Sequence, residues 1–398
     1  MQSADDQPGV RLPHLDMVRG LAAMTVCVGH LRAFFLVDFT QTGGGIATTI
    51  FYLLTGLHHE AVMLFFVLSG FLVGGSVIRL RRRGAWRWSD YLVRRLSRLW
   101  LVIVPALLLT LGWDLLGLRL DPAGYHGAYH AMLMSGPGQV LHNTPRTFFG
   151  NLLFLQGIRV PAFGSNGPLW SLANEFWYYL LFPLGLQAVL RGTTPVARIV
   201  AFGLVVAIWL LLPAKVLALG AIWLFGVGAF LLHDKPATAR IVARWPVGIA
   251  ALLVMAIGLA ASRIQTRIDL DYIVGAAFAA ALPWLARAPA ASALYRRVGF
   301  ALSEMSYTLY LVHFPLLAWI YFSFVAPRQW TPGAGSLATL AALLGAVMLY
   351  AAGIWWLFER NTGRVRATVA RLMRRPGAGR GGMSIGQEVR AKGATARS

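Results

Sequence analysis

Apolar residues fill long stretches of this chain, and polar residues gather in the segments between them. Apolar runs of about 17 to 25 residues, the length that crosses a hydrocarbon layer, fall at approximately 17–37, 61–78, 99–117, 167–190, 199–214, 216–232, 247–262, 272–286, 302–325 and 336–358. They predict an all-α, polytopic integral membrane helix bundle of about ten transmembrane helices. The pairs around Lys215 and Asp269 leave the count open to revision. Residues 1–10 read as a polar leader, 11–360 as one transmembrane domain, and 361–398 as a basic cytoplasmic tail expected to be disordered. The Gly-, Ala- and Arg-rich stretch from Pro376 has no apolar periodicity and is expected to be disordered. The first apolar segment follows a weakly charged leader and lacks a small-residue cleavage pattern, so it is expected to stay as an uncleaved signal anchor. No repeat and no appended soluble catalytic module stands out.

Composition supports this picture. Of 398 residues, 57% are hydrophobic and 13% charged, and a mean hydropathy of +0.62 excludes an ordinary soluble domain. The net charge of +21 would fit nucleic acid, but the basic residues segregate by loop. With a cytoplasmic amino terminus, 28 of them fall on the inner side and 8 on the outer. The positive-inside rule then places both termini in the cytoplasm, as an even number of spans requires. Cys27 is the single cysteine, which rules out an intrachain disulfide. A packing thiol fits it better than a nucleophile.

Polar residues inside the apolar runs mark where chemistry is expected. Leu15 to Val28 is almost wholly apolar yet carries Asp16 and Arg19, and it runs on to His30. Eleven helical residues rise roughly 16 Å and turn about 1100°, so Arg19 and His30 share a face with Asp16 slightly off it. A plain Asp16–Arg19 ion pair at the membrane edge is the simpler alternative. From Pro168, Ser171, Asn174, Glu175 and Tyr178 recur at i+3 and i+4. A carboxyl in such surroundings needs a proton or a cationic partner, and either suits proton handling. Helix packing by one hydrogen-bonded Glu175 is the alternative. Ser306, Tyr310 and His313 share a third face, as a hydroxyl ladder to an imidazole or as satisfied core groups.

The inner segment Arg79 to Arg98 interleaves arginines with Trp86, Trp88, Tyr91 and Trp100. Guanidinium groups among aromatic rings bind anions that carry an aromatic base, although topology and anionic lipid alone produce a similar pattern. Arg94, Arg95 and Arg98 run directly into a span and carry more weight. Ser69 and Gly70, in the preceding span, add a hydroxyl and a close-packing glycine. The outer loop holds His126, His130 and His142, whose spacing matches no compact metal-ligand pattern, so no metal is expected.

Five segments together resemble the signatures of the acyltransferase family 3 membrane proteins. Leu15-Asp16-Met17-Val18-Arg19-Gly20 followed by His30 resembles the first-helix signature, an arginine, ten intervening residues and a histidine. Phe65 to Phe71, Tyr91 to Leu99, Leu169 to Tyr178 and Ser306 to Pro315 are similar to later signatures, in the family's order. The resemblance covers about residues 11 to 360. Asn174 stands where the family usually has an apolar residue, and Glu359-Arg360-Asn361 replaces its usual acidic-basic-proline ending. The chain is similar to the stand-alone members that lack an SGNH-type domain.

The resemblance implies an acyl-CoA-dependent O-acyltransferase of the bacterial inner membrane. It would move an acyl group, commonly acetyl, to a hydroxyl of an extracytoplasmic carbohydrate or glycoconjugate. His30 and Glu175 are then the candidate catalytic residues. Asp16, Arg19, Ser171, Tyr178, Ser306, Tyr310 and His313 form a supporting polar network. Arg94, Arg95, Arg98 and Ser69 bind the donor. Expected partners are acyl-CoA, the carbohydrate acceptor and membrane lipid, with no nucleic acid and no tightly bound cofactor. Imidazole titrates near neutrality and suits a base for a sugar hydroxyl; an acyl-His30 intermediate is the second route. The rival from another class is a proton-coupled transporter or flippase of a lipid-linked glycan, with His30, Glu175 and His313 as its relay.

Overall fold

The structure is a computed structural model that describes residues 12–125, 141–190, 192–242, 244–262, 268–289 and 292–373. His126, His130, the leader and the tail beyond Met373 lie outside these residues. Among those described, all regular structure is helical, with two isolated bridges, Leu36 to Trp330 and Gln156 to Val160, and no strand.

Helix ends follow local chemistry. Helix α1 (Pro13–Phe35) has Pro13 in its first turn, Asp16 near its positive end and Arg32 near its negative end, which suits the helix dipole. A short helix α2 (Ile46–Thr55) leads into α3 (His58–Ser69). A π-helical turn, Gly70–Gly74, joins α3 to α4 (Gly75–Arg82). The long α5 (Trp88–Leu120) carries the arginines on its first turns. Thr144 and Thr147 form a reciprocal capping box for α6 (Pro145–Leu152). Beyond it run α7 (Trp170–Val189), α8 (Pro195–Leu211), α9 (Ala214–Asp234), α10 (Pro236–Val242), α11 (Trp245–Ser262) and α12 (Ile268–Leu285). Ser292 caps α13 (Ala293–Phe324) by accepting from the Tyr295 amide. Last are α14 (Ala334–Leu357) and α15 (Thr362–Met373).

Seven helical stretches are long and apolar enough to cross a membrane: Pro13–Phe35, Ile46–Arg82, Trp88–Leu120, Ala214–Asp234, Trp245–Ser262, Ala293–Phe324 and Ala334–Leu372. The remaining three segments of the ten expected from sequence fall on α7, α8 and α12. Of these, α8 has only 17 residues, α7 is interrupted by Ser171, Asn174 and Glu175, and α12 opens on Asp269 and Asp271. The expected disordered tail needs one correction. Its first part is helix α15, whose Arg364, Arg366 and Arg371 alternate with apolar residues, and this periodicity lets it lie against α5.

Helix α13 is the axis of the bundle, packed against α1, α5 and α14. Small residues bring it close to α1. A Cβ on Gly20 would overlap Leu302, and one on Gly299 would stand 3.3 Å from Met17. The α3 segment meets α9 in the same way, because a Cβ on Gly70 would strike the Trp223 carbonyl and one on Gly226 the Val67 carbonyl. These two crossings enclose the polar interior, while α8 and α14 leave large apolar side chains such as Leu210 and Leu349 on the outside.

Candidate active site

A cavity of about 150 Å³ lies between α1, α3, α5, α7 and α13. Its walls carry Arg19, Ser69, Arg95, Arg98, Ser171, Glu175, Ser306 and Tyr310, all singled out from sequence, together with Tyr179 and Tyr307.

Three guanidinium groups mark one end. Arg19 Nε donates to Ser303 Oγ at 2.7 Å, and Ser303 Oγ donates to Asp16 Oδ1 at 3.2 Å. The direct Arg19–Asp16 ion pair measures 3.9 Å. Asp16 therefore steadies Arg19 while Arg19 still faces the cavity. Arg95 lies over the rings of Tyr91 and Tyr179, with 5.7 and 5.8 Å to the centroids. Arg98 lies 5.9 Å over Tyr307 and pairs with Glu359 at 3.7 Å. Glu359 also accepts from the Thr308 hydroxyl at 2.6 Å and the Thr308 amide at 3.3 Å. The end of the last span thus reaches the site through Glu359 and Arg98, a pairing the local sequence does not reveal. Arg94 does not line the cavity.

The middle of the cavity is lined by hydroxyl and carboxyl groups. Tyr179 donates to Glu175 Oε1 at 2.5 Å. Tyr310 and Ser171 share a 2.7 Å hydrogen bond, and Tyr310 donates to the Pro168 carbonyl at 3.0 Å. Tyr178 faces elsewhere, contrary to the sequence expectation, and donates to the Val216 carbonyl of α9 at 2.5 Å. The lining face of α7 carries Ser171, Leu172, Glu175 and Tyr179. At about 100° per residue, its centre is about 75° from Tyr178. Neighbour spacing alone could not choose between the two tyrosines.

His30 and His313 form a pair just beyond Tyr310. His30 Nδ1 and His313 Nε2 are 2.8 Å apart, and His313 Nδ1 is 2.8 Å from the Leu309 carbonyl. A carbonyl only accepts, so His313 carries its proton on Nδ1. Its Nε2 must then accept from His30 Nδ1–H, which leaves the lone pair of neutral His30 on Nε2. The rings stack 5.2 Å apart and 12° from parallel. His58, which sequence reading passed over, lies 5.1 Å from His30. His58, Val62, Phe65, Ser69 and Leu72 follow helical spacing along one side of α3 and the π turn, so the stripe that lines the cavity continues to the histidines. Neither His30 nor His313 lines the cavity itself. Tyr310, with its ring 6.2 Å from His313, stands at that end of it.

Other expectations are less central. Cys27 is fully buried within the apolar core. His142 contributes its carbonyl, which accepts from Thr147 at 2.5 Å.

Residues 12–351 match the acyltransferase domain of family 3. The chain belongs to acyltransferase family 3. It is also similar to the O-acetyl transferase of Shigella phage Sf6, 25% identical over 194 residues, which cover 47% of this chain and 50% of that protein. The chain thus spans about half the length of that curated relative. No solved structure matches it. Family membership and the phage relative support O-acyltransferase activity.

Proposed function

We propose that this family member carries an acyl group, acetyl in the simplest case, from cytoplasmic acyl-CoA to a hydroxyl of an extracytoplasmic carbohydrate or glycoconjugate. It acts in the bacterial inner membrane, with about ten crossings and both termini inside. One observation carries the proposal: a cavity within the bundle gathers Arg19, Arg95 and Arg98 at one end and approaches an imidazole pair of defined tautomer at the other. Three guanidinium groups facing one internal space suit a thioester donor that carries several phosphates. The name of the phage relative, an O-acetyl transferase, supports acetyl as the group moved.

In this mechanism Arg95 and Arg98 hold donor phosphate from the inner side, and Arg19 closes the same end. The pantetheine arm runs past Ser69 towards Glu175 and Tyr310. Tyr310 swings away from Ser171 and Pro168 to admit the thioester to His30. The acceptor hydroxyl gives its proton to His30 Nε2, and its oxygen attacks the thioester carbonyl. The C–S bond breaks, and the leaving thiolate takes the proton from His30. His313 accepts from His30 Nδ1 throughout, so the imidazolium formed midway keeps its partner. Glu175 orients the acyl end of the donor.

The test uses labelled acetyl-CoA with washed membranes of the native host, which contain the natural acceptor. Wild-type protein should release coenzyme A and leave label in a membrane glycan, and His30→Ala should do neither. Movement of glycan across the membrane without thioester consumption would establish the transporter instead. Fusions of a periplasmic reporter to successive loops test the crossings and the two inner termini.

A further inference from the structure

Trp223 lies on α9, is 1% exposed and does not line the cavity, yet a run of hydrogen bonds connects it to Glu175. Its indole Nε1 donates to Ser69 Oγ at 3.1 Å. Ser69 Oγ donates to the Tyr179 hydroxyl at 3.3 Å, and Tyr179 donates to Glu175 Oε1 at 2.5 Å. Indole nitrogen only donates. The run therefore begins at Trp223 with a fixed sense and ends on Glu175 as acceptor. Four residues from three separate segments are aligned in this way.

The fold is shaped to make that connection. Ser69 is the last residue of α3, immediately before the π turn Gly70–Gly74, and such turns recur at functional positions because they re-aim side chains. Gly70 and Gly226 let the α3 and α9 backbones approach until a Cβ on either would strike the other's carbonyl. This contact sets the indole beside Ser69. Phe182, with ring centroids 5.3 Å apart, and Tyr178, at 6.2 Å, pack against the indole. Apolar packing accounts for a buried aromatic at this position. It does not account for an N–H directed at the one hydroxyl that leads to the cavity.

We propose that Trp223 is a positioning residue for acyl transfer: through Ser69 and Tyr179 it fixes Glu175 by Oε1 and leaves Oε2 to engage the donor's acyl end. The inference rests on the role given to Glu175 above and adds the group that holds it. Trp223 and the donor never touch. Its loss is therefore expected to act on turnover and to leave donor affinity unchanged.

The test is a double-mutant cycle of Trp223→Phe and Glu175→Gln, read with labelled acetyl-CoA in native-host membranes and by calorimetric acetyl-CoA binding to purified protein. Trp223→Phe keeps an aromatic ring and removes the donor. It should lower kcat roughly fivefold, the worth of one lost hydrogen bond to a neutral hydroxyl, here Ser69, with Kd for acetyl-CoA changed less than about twofold. In the Glu175→Gln background the same substitution should have almost no further effect. If Trp223→Phe does not fold, Tyr179→Phe cuts the same run by removing a single oxygen and should show the same coupling. A wild-type kcat for Trp223→Phe beside a slow Glu175→Gln overturns the inference alone, as does an undiminished effect in the double mutant. A wild-type rate for Glu175→Gln removes Glu175 from the site and this inference with it.

Discussion

Replacing His313 with leucine isolates the contribution of the histidine pair, because His313 is fully buried and does not line the cavity. The substitution leaves His30 Nδ1–H without the acceptor that now lies 2.8 Å away. A buried donor deprived of its partner loses about 1–3 kcal/mol. That loss is larger once the ring takes a second proton, because hydrogen bonds of charged groups are roughly twice as strong as neutral ones. The difference between ground state and transition state falls on kcat. His313→Leu should therefore slow transfer between about fivefold and about a hundredfold while acetyl-CoA binding stays at the wild-type level. His313→Gln offers an amide oxygen to the same N–H and should recover much of the rate. The assay is coenzyme A release in native-host membranes, with calorimetric donor binding on purified protein. A normal kcat for His313→Leu, or equal losses for leucine and glutamine, refutes the argument that the second histidine fixes the tautomer of the first.

Arg95→Ala and Arg98→Ala each remove a guanidinium from the cavity and should raise Kd for acetyl-CoA roughly ten- to hundredfold, the worth of a charge-assisted contact, by calorimetry. Tyr310→Trp enlarges the side chain between the cavity and His313 and should abolish labelled acetyl transfer without loosening acetyl-CoA binding. Gly226→Ala drives a Cβ into the Val67 carbonyl and should cost about 1–3 kcal/mol, seen as a lower Tm of purified protein. Gly228→Ala meets no atom of a neighbouring segment within 4 Å of the added Cβ and, since Ala suits a helix interior better than Gly, should not lower Tm.

What could be read from the sequence depended on whether a feature lies within one helix. Each apolar segment falls on a helix, because the hydrocarbon layer demands backbone hydrogen bonds made within the segment. Glu175 with Ser171, and Ser306 with Tyr310, were legible because four-residue spacing within one helix sets a shared face. Contacts between distant helices were not. His30 and His313 are 283 residues apart, and no spacing rule joins them or adds His58. Glu359 reaches Arg98 only because α13, α14 and α5 converge. Tyr178 and Tyr179 differ by one step of the helix, and the neighbouring α9 decides which of them faces the cavity. The π turn after Ser69 is legible only as a cluster of Gly70, Gly74 and Gly75, whose partner Gly226 is far along the chain.

The arrangement also bears on how a donor fits. Coenzyme A carries its phosphates and its thioester at opposite ends of an extended pantetheine arm. A site that grips the phosphates must therefore have its base a comparable distance away. Arg19 and His30 are eleven residues apart on α1, a rise of roughly 16 Å. The same axis is repeated on α13, where Ser303 holds Arg19 and His313 holds His30. Two neighbouring helices thus fix both ends of the path, and the small residues Gly20 and Gly299 set the spacing between them. A shift of one helix along the other would break the guanidinium contact and the imidazole contact together. The separation between the two ends is for this reason a property of the α1–α13 packing as a whole, and in the proposed mechanism it holds the base at one reach from the donor phosphates whichever acceptor arrives.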